Sequence, residues 1–154
     1  MDWAQSEYAS LISQSAYREG VPPDILGALL EVESGLNPQA ENFDSNGSVD
    51  RGIAQINSQA HPEVSDTQAM SPQYAIPWAA AELAKLHQEY GTWRDALAAY
   101  NAGTPTSAAG QSYAAKVLAA AGPGVGASVS SYPNVDLLLL AVGACVVLAA
   151  ILFA

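Results

Sequence analysis

Hydrophobic residues recur at helical spacing in several stretches of the chain and give way to polar, turn-rich sequence between them. Ala4, Tyr8, Leu11 and Ile12 predict an amphipathic helix over about residues 3–18, closed by Gly20. Pro22, Pro23 and Asp24 announce a second helix, and Gly35 supplies its stop signal. In that helix Ile25 and Leu29 form one i, i+4 row, and Leu26 and Leu30 form its neighbour. Extending the first row by four residues lands on Glu33, a carboxylate where the pattern asks for a core apolar residue. Glu31, two residues earlier, points roughly 200° away and is expected to be solvated. A longer helix follows from Pro72, or at the latest Pro77, to Tyr90. Its apolar face comprises Ile76, Ala79, Ala80, Leu83, Leu86, His87 and Tyr90, with Glu82, Lys85 and Glu89 outside and His87 expected as a hydrogen-bonded core residue. Thr92 to Asp95 resembles a capping box, and Ala96, Leu97 and Tyr100 carry the next helix to Asn101. A last helix is predicted over about residues 111–121.

The chain between Gly35 and Asn57 cannot continue a helix. Asn37-Pro38, Asn42 and Asp44-Ser45-Asn46-Gly47 are turn formers, and Asn46-Gly47 signals a hairpin whose strands end near Asp50. Gly52-Ile53-Ala54-Gln55-Ile56-Asn57 then alternates small or apolar residues with amides suited to sugar hydroxyls. Residues 63–71 have room for one short turn of helix.

Composition narrows the possible partners. With 154 residues, one domain of ordinary size is expected. A formal net charge of −10 and only five Lys or Arg leave no electrostatic footprint for nucleic acid. The single Cys145 excludes an intrachain disulfide. The first twenty residues lack both a positive n-region and an apolar h-region, so they do not read as a signal peptide. No metal or cofactor is expected: His61 stands before Pro62 with no other ligand at metal-binding spacing, and it reads as a surface residue, with the rim of a cleft as the alternative.

Glu33 carries the candidate chemistry. A part-buried Glu flanked by Leu29, Leu30 and Val32 should have a raised pKa, because desolvation disfavours its charged form. A carboxylic acid that stays protonated near neutral pH can protonate a leaving group. Ser34 is placed to cap the helix end, and no His stands in a motif relation that would activate it as a nucleophile.

Three ordered motifs frame that acid: Glu33-Ser34-Gly35-Leu36-Asn37-Pro38, Gly52-Ile53-Ala54-Gln55-Ile56-Asn57, and Ala99-Tyr100-Asn101-Ala102-Gly103. Together they resemble the Slt-type lytic transglycosylases, which cleave peptidoglycan glycan strands on a lysozyme-like fold. The resemblance covers most of residues 8–120, and residues 46–58 are similar to the small members found in secretion systems and phages. It implies a mainly helical α+β domain with a small hairpin, spanning residues 1–121. It also implies Glu33 as acid and base, with Tyr100 at the position whose hydroxyl holds the catalytic Glu. Ser34, Asp50, Gln55, Asn57 and Asn101 fall on substrate-binding positions, and Asp44 and Asn46 are further candidates for the cleft lining. Ala54 replaces a bulkier residue of the common family pattern. A second reading stays open: the chain from Glu33 aligns without a gap to the animal-type lysozymes, placing Asp50 on their second catalytic carboxylate. That would make the domain a muramidase. A non-catalytic, membrane-anchored glycan-binding or structural protein is the third.

At Gly122 the composition changes abruptly. Residues 122–134 read as an uncharged Gly/Ser/Pro linker with a flexible reach of about 20 Å. From Leu137 to Ala154 every residue is uncharged and nearly all are apolar; as a helix this run spans about 27 Å, close to the roughly 30 Å of a bilayer core. Residues 135–154 are therefore expected to be a transmembrane tail anchor in a lipid bilayer, and Ala141, Cys145 and Ala149 could pack on other membrane proteins. An anchor without an export signal is similar to the virion-associated transglycosylases of membrane-containing phages. That implies the internal membrane of a virion, with a bacterial membrane as the alternative, and host-wall penetration at entry.

Overall fold

A computed structural model describes residues 2–122. The expected linker and membrane anchor, at 122–134 and 135–154, fall outside the described residues apart from Gly122. Among the described residues no helix is long and apolar enough to cross a membrane. Among the described residues six α-helices and three short strands follow one another: α1 (Ala9–Glu19), α2 (Pro23–Ser34), β1 (Glu41–Phe43), β2 (Val49–Arg51), β3 (Ile56–Asn57), α3 (Asp66–Ala69), α4 (Pro72–Tyr90), α5 (Trp93–Ala102) and α6 (Ala108–Ala121).

The first expected helix is broken in two. Trp3–Gln5 forms a single 3-10 turn capped by Asp2, and α1 begins only at Ala9. Ser6 is the cause: its hydroxyl donates to the Trp3 carbonyl at 2.6 Å and accepts from the Tyr8 amide at 3.3 Å, a local pattern that competes with helix. The detached turn lays the Trp3 indole over α2 at Gly27, where any Cβ would overlap the ring. That glycine is a close-approach residue.

α2 is the central rod. Every residue from Ile25 to Leu30 is buried, because α1, α6 and the Trp3 turn surround it. Its end matches expectation: the Gly35 amide bonds to Glu31 at 2.9 Å and the Leu36 amide to Leu30 at 3.4 Å, a Schellman-type closure. Leu36 has a φ of +64° and is almost fully buried, so its packing offsets the strain of a left-handed backbone. Glu31 departs from expectation. It is half-buried, and Oε1 is enclosed with no hydrogen-bond partner.

The expected hairpin is two strands of a three-stranded antiparallel sheet in the order β1-β2-β3. The register sets Asp50 between Asn42 on one side and Asn57 on the other. Arg51 fixes the sheet to the following loop. Its buried guanidinium donates to the carbonyls of Ile56 (3.1 Å) and Val64 (3.0 Å) and pairs with Asp66 at 2.7 Å. At Gly52, with φ +73°, the backbone runs so close to the Ala69 carbonyl that a side chain there would collide with it.

α3 is the short turn expected after residue 63, set by a Ser65/Gln68 capping box. α4 starts at Pro72 and runs through Pro77. Its buried face is Ala75, Ile76, Ala79, Ala80, Leu83 and Ala84, packed on α1 and α5. His87 is not a hydrogen-bonded core residue. Its ring stacks face to face on Trp93, with centroids 3.8 Å apart and planes 10° from parallel. α6 begins a turn earlier than predicted, because the Ser107 hydroxyl accepts from the Gly110 amide at 3.0 Å.

Candidate active site

One face of the helical body and the sheet enclose a cleft of about 660 Å³. The final turn of α2 contributes Glu33, the sheet side contributes Asp44, Asp50, Gln55 and Asn57, and α4 and α5 contribute Trp78, Glu82, Tyr100 and Asn101.

The carboxyl of Glu33 is largely enclosed yet keeps access to the cleft. Burial raises its pKa to about 7, the hydrogen bond from Tyr113 acts in the opposite direction, and the charge of Asp50 adds to the rise while Lys116 opposes it. At neutral pH the group is therefore divided between acid and carboxylate. It can give up a proton and take one back.

Tyr113 is the residue that holds it. From α6, eighty positions further along the chain, its hydroxyl donates to Glu33 Oε1. Burial, the Glu33 charge and that hydrogen bond all raise the phenol pKa far above its ordinary value, so the proton remains on tyrosine. Tyr100, expected in that role, does something else. Its hydroxyl donates to the Ala54 carbonyl at 2.9 Å, because α5 brings it over the chain between β2 and β3. Burial and then the charges of Glu33, Glu82 and Asp50 raise its pKa well above the phenolic range. Tyr100 thus lines the cleft and stays neutral, but does not hold Glu33.

The amides are more committed than their sequence pattern predicts. Asn57 Nδ2 points at Asp50 Oδ1 (2.7 Å), Ser48 Oγ (3.0 Å) and Asp44 Oδ2 (3.3 Å), while its oxygen accepts from the amides of Gln59 and Ala60. Its work is to hold the acidic floor in place. Gln55 adopts a left-handed backbone with φ +48°, and its Nε2 donates to the Gly52 carbonyl at 2.9 Å. Asp50 also receives a long contact from Asn42 at 3.5 Å. Asn101 lines the cleft and is exposed.

Ser34 stands apart from the cleft lining. Its hydroxyl donates to the Ile53 carbonyl at 2.9 Å and accepts from the Asn37 amide at 3.1 Å. It acts as a cap and as a tie from α2 to the floor, with no lone role left for substrate. Asp44 reaches the cleft, whereas Asn46 turns inward to cap the hairpin by accepting from the Ser48 amide at 2.9 Å. Glu82, expected outside, faces the cleft while pairing with Lys85 at 3.2 Å. His61, expected on the bland surface, also lines it. Among the described residues no group of three His, Cys, Asp or Glu is disposed to hold a metal ion.

Comparison with known proteins agrees with this geometry. Residues 10–119 match the Transglycosylase SLT domain. Two curated relatives, both named Protein IpgF, come from Shigella flexneri and Shigella sonnei. Each is 39% identical over 93 residues, a match covering 56% of this chain and 61% of the relative. The chain thus spans less than two thirds of the length of those proteins.

Proposed function

Because the chain belongs to the transglycosylase SLT domain family, we propose that it is a lytic transglycosylase of peptidoglycan. The cut falls on the β-1,4 bond between N-acetylmuramic acid and N-acetylglucosamine. The observation that carries the reading is a single carboxyl at the cleft wall with its pKa raised to about 7 and its orientation set by a tyrosine.

Protonated Glu33 donates to the glycosidic oxygen as the C1–O bond breaks, and the N-acetylglucosamine hydroxyl departs with that proton. The carboxylate left behind removes the proton of the muramyl 6-hydroxyl, whose oxygen closes on C1 to form a 1,6-anhydro ring. Glu33 ends as it began, and no water is consumed. Tyr113 keeps the carboxyl aimed through both halves. Asp50, held by Asn57 at 2.7 Å and Asn42 at 3.5 Å, takes no part in the proton transfers and serves the sheet floor or sugar binding.

The placement of Asp50 in the same cleft also favours a second reading, hydrolysis by two carboxylates. Mass analysis of products from purified peptidoglycan separates them, with Glu33→Gln as control. Ends lacking the elements of one water support the transglycosylase; reducing ends overturn it in favour of the hydrolase. No products from the wild-type chain would favour a glycan-binding protein.

The apolar run 137–154 in the sequence supports a membrane setting for this activity, and a virion membrane reconciles that anchor with a substrate outside the cell. Recovery of the full chain in the lipid fraction of purified particles tests this; recovery only from soluble extract overturns it.

A further inference from the structure

The loop after β3 places in the cleft a residue that the acid–base chemistry leaves unused. The His61 imidazole stands edge-on to the Trp78 indole, 4.7 Å between ring centres and 80° between planes. Trp78 in turn meets Tyr100 edge-on at 6.4 Å. All three rings line the cleft, so an aromatic strip runs from this loop across α4 to α5. Two supports hold its outer ring. The His61 amide donates to the Asn57 carbonyl at 3.0 Å, and Nδ1 lies 3.4 Å from the Glu63 carboxylate. The Asn57 side chain also bonds Asp50 at 2.7 Å, so the outer ring and the acidic floor are tied to one residue.

The surroundings say what the ring is for. The remaining titratable groups lining the cleft are Glu33, Asp44, Asp50, Glu82, Glu89, Tyr90 and Tyr100, with no Lys or Arg. Nδ1 is turned to the Glu63 carboxylate, and no hydrogen bond engages Nε2 among the described residues. A braced aromatic face with an open ring nitrogen suits a sugar ring, which has apolar C–H faces and hydroxyl and acetamido groups at its edge.

We propose that His61 is a substrate-contacting, specificity-determining residue that packs its imidazole, braced by Trp78, against an N-acetylhexosamine ring of the strand. Nε2 hydrogen-bonds that sugar's acetamido group or a hydroxyl. The assignment deepens the proposed function and rests on the cleft holding a glycan strand. It places one sugar of the strand beyond the scissile bond, against a wall that Glu33 and Tyr113 do not form.

The test compares full-length wild type, His61→Ala and His61→Phe in steady-state turnover of peptidoglycan, with thermal unfolding measured beside it. His61→Ala is expected to raise KM about two- to tenfold, the range of one lost aromatic contact, while kcat stays near wild type. His61→Phe keeps the ring and recovers part of that loss. Unchanged KM in His61→Ala, a fall in kcat alone, or a Phe variant no better than Ala overturns the proposal. In parallel, the full-length Glu33→Gln protein is titrated with the N-acetylglucosamine tetramer while the His61 ring protons are followed by NMR. Wild-type turnover with no effect at His61 overturns this proposal and leaves the function standing. Perturbed His61 protons without wild-type turnover support this contact and overturn the activity. Failure of both removes both.

Discussion

Replacing Tyr113 by phenylalanine removes one oxygen atom and, with it, the only hydroxyl that donates to Glu33 among the described residues. That hydrogen bond favours the carboxylate, so it works against the burial that raises the Glu33 pKa to about 7. A hydrogen bond to a charged group is worth about 1.5–3 kcal/mol, and about 1.4 kcal/mol corresponds to one pKa unit. In the variant, Glu33 is therefore expected to titrate higher than in the wild type by about one unit or more. Because the acid must be protonated to start the reaction, kcat/KM declines as pH rises through the Glu33 pKa. The decline should move to higher pH by about one unit in Tyr113→Phe. The plateau should also drop, by up to about a hundredfold, because the carboxyl is no longer aimed. Initial rates of soluble product release from peptidoglycan, measured from pH 5 to about 10, give both quantities. An alkaline limb that stays in place, or moves to lower pH, refutes the role assigned to Tyr113.

Glu33→Gln should abolish turnover and change the pH dependence of stability. Between the unperturbed value of 4.5 and about 7 the folded chain retains a proton that the unfolded chain has released. Wild-type stability therefore falls as pH rises through that window, by about 2–3 kcal/mol, and the variant should lack the fall. Thermal melts at each end of the window read this directly. Asp50→Asn should be nearly silent in product-release assays if Glu33 works alone, and a severe loss would assign Asp50 a covalent or strongly electrostatic role. Tyr100→Phe leaves the buried Ala54 carbonyl without its hydroxyl donor and should cost about 1–3 kcal/mol in denaturant unfolding, while the alkaline limb stays at its wild-type pH.

How far these roles could be read from the chain follows from how local each one is. α2, its closing Gly35 and the misplaced carboxylate at position 33 are all visible within residues 23–35, because helical periodicity and capping are local rules. The break at Ser6 was hidden, since a serine inside a periodic pattern gives no sign of whether its hydroxyl will turn back on the backbone. β3, two residues long, is too short to have a period of its own and exists only because β2 offers it a partner. Tyr113 could not be chosen over Tyr100 from the sequence, because both lie on short amphipathic helices and only the packing of α6 on α2 decides which hydroxyl meets Glu33. The one available signal was that Tyr113 directly precedes Ala114, on the buried side of α6. Glu82 was misread for a related reason: a helix side that borders a cleft is half-exposed and looks like any solvated face.

The hydroxyls of Ser34 and Tyr100 grip two consecutive carbonyls, those of Ile53 and Ala54, from two different helices. The acid-bearing body and the sheet are thus fastened at acceptors that every amino acid possesses. Side chains at these two positions can drift without loosening the fastening, provided the space around them is kept filled. Ala54, fully buried, is one such position: its carbonyl and not its side chain makes the tie. A change of side chain there alters the packing behind the floor while the reach from Glu33 to the floor stays the same.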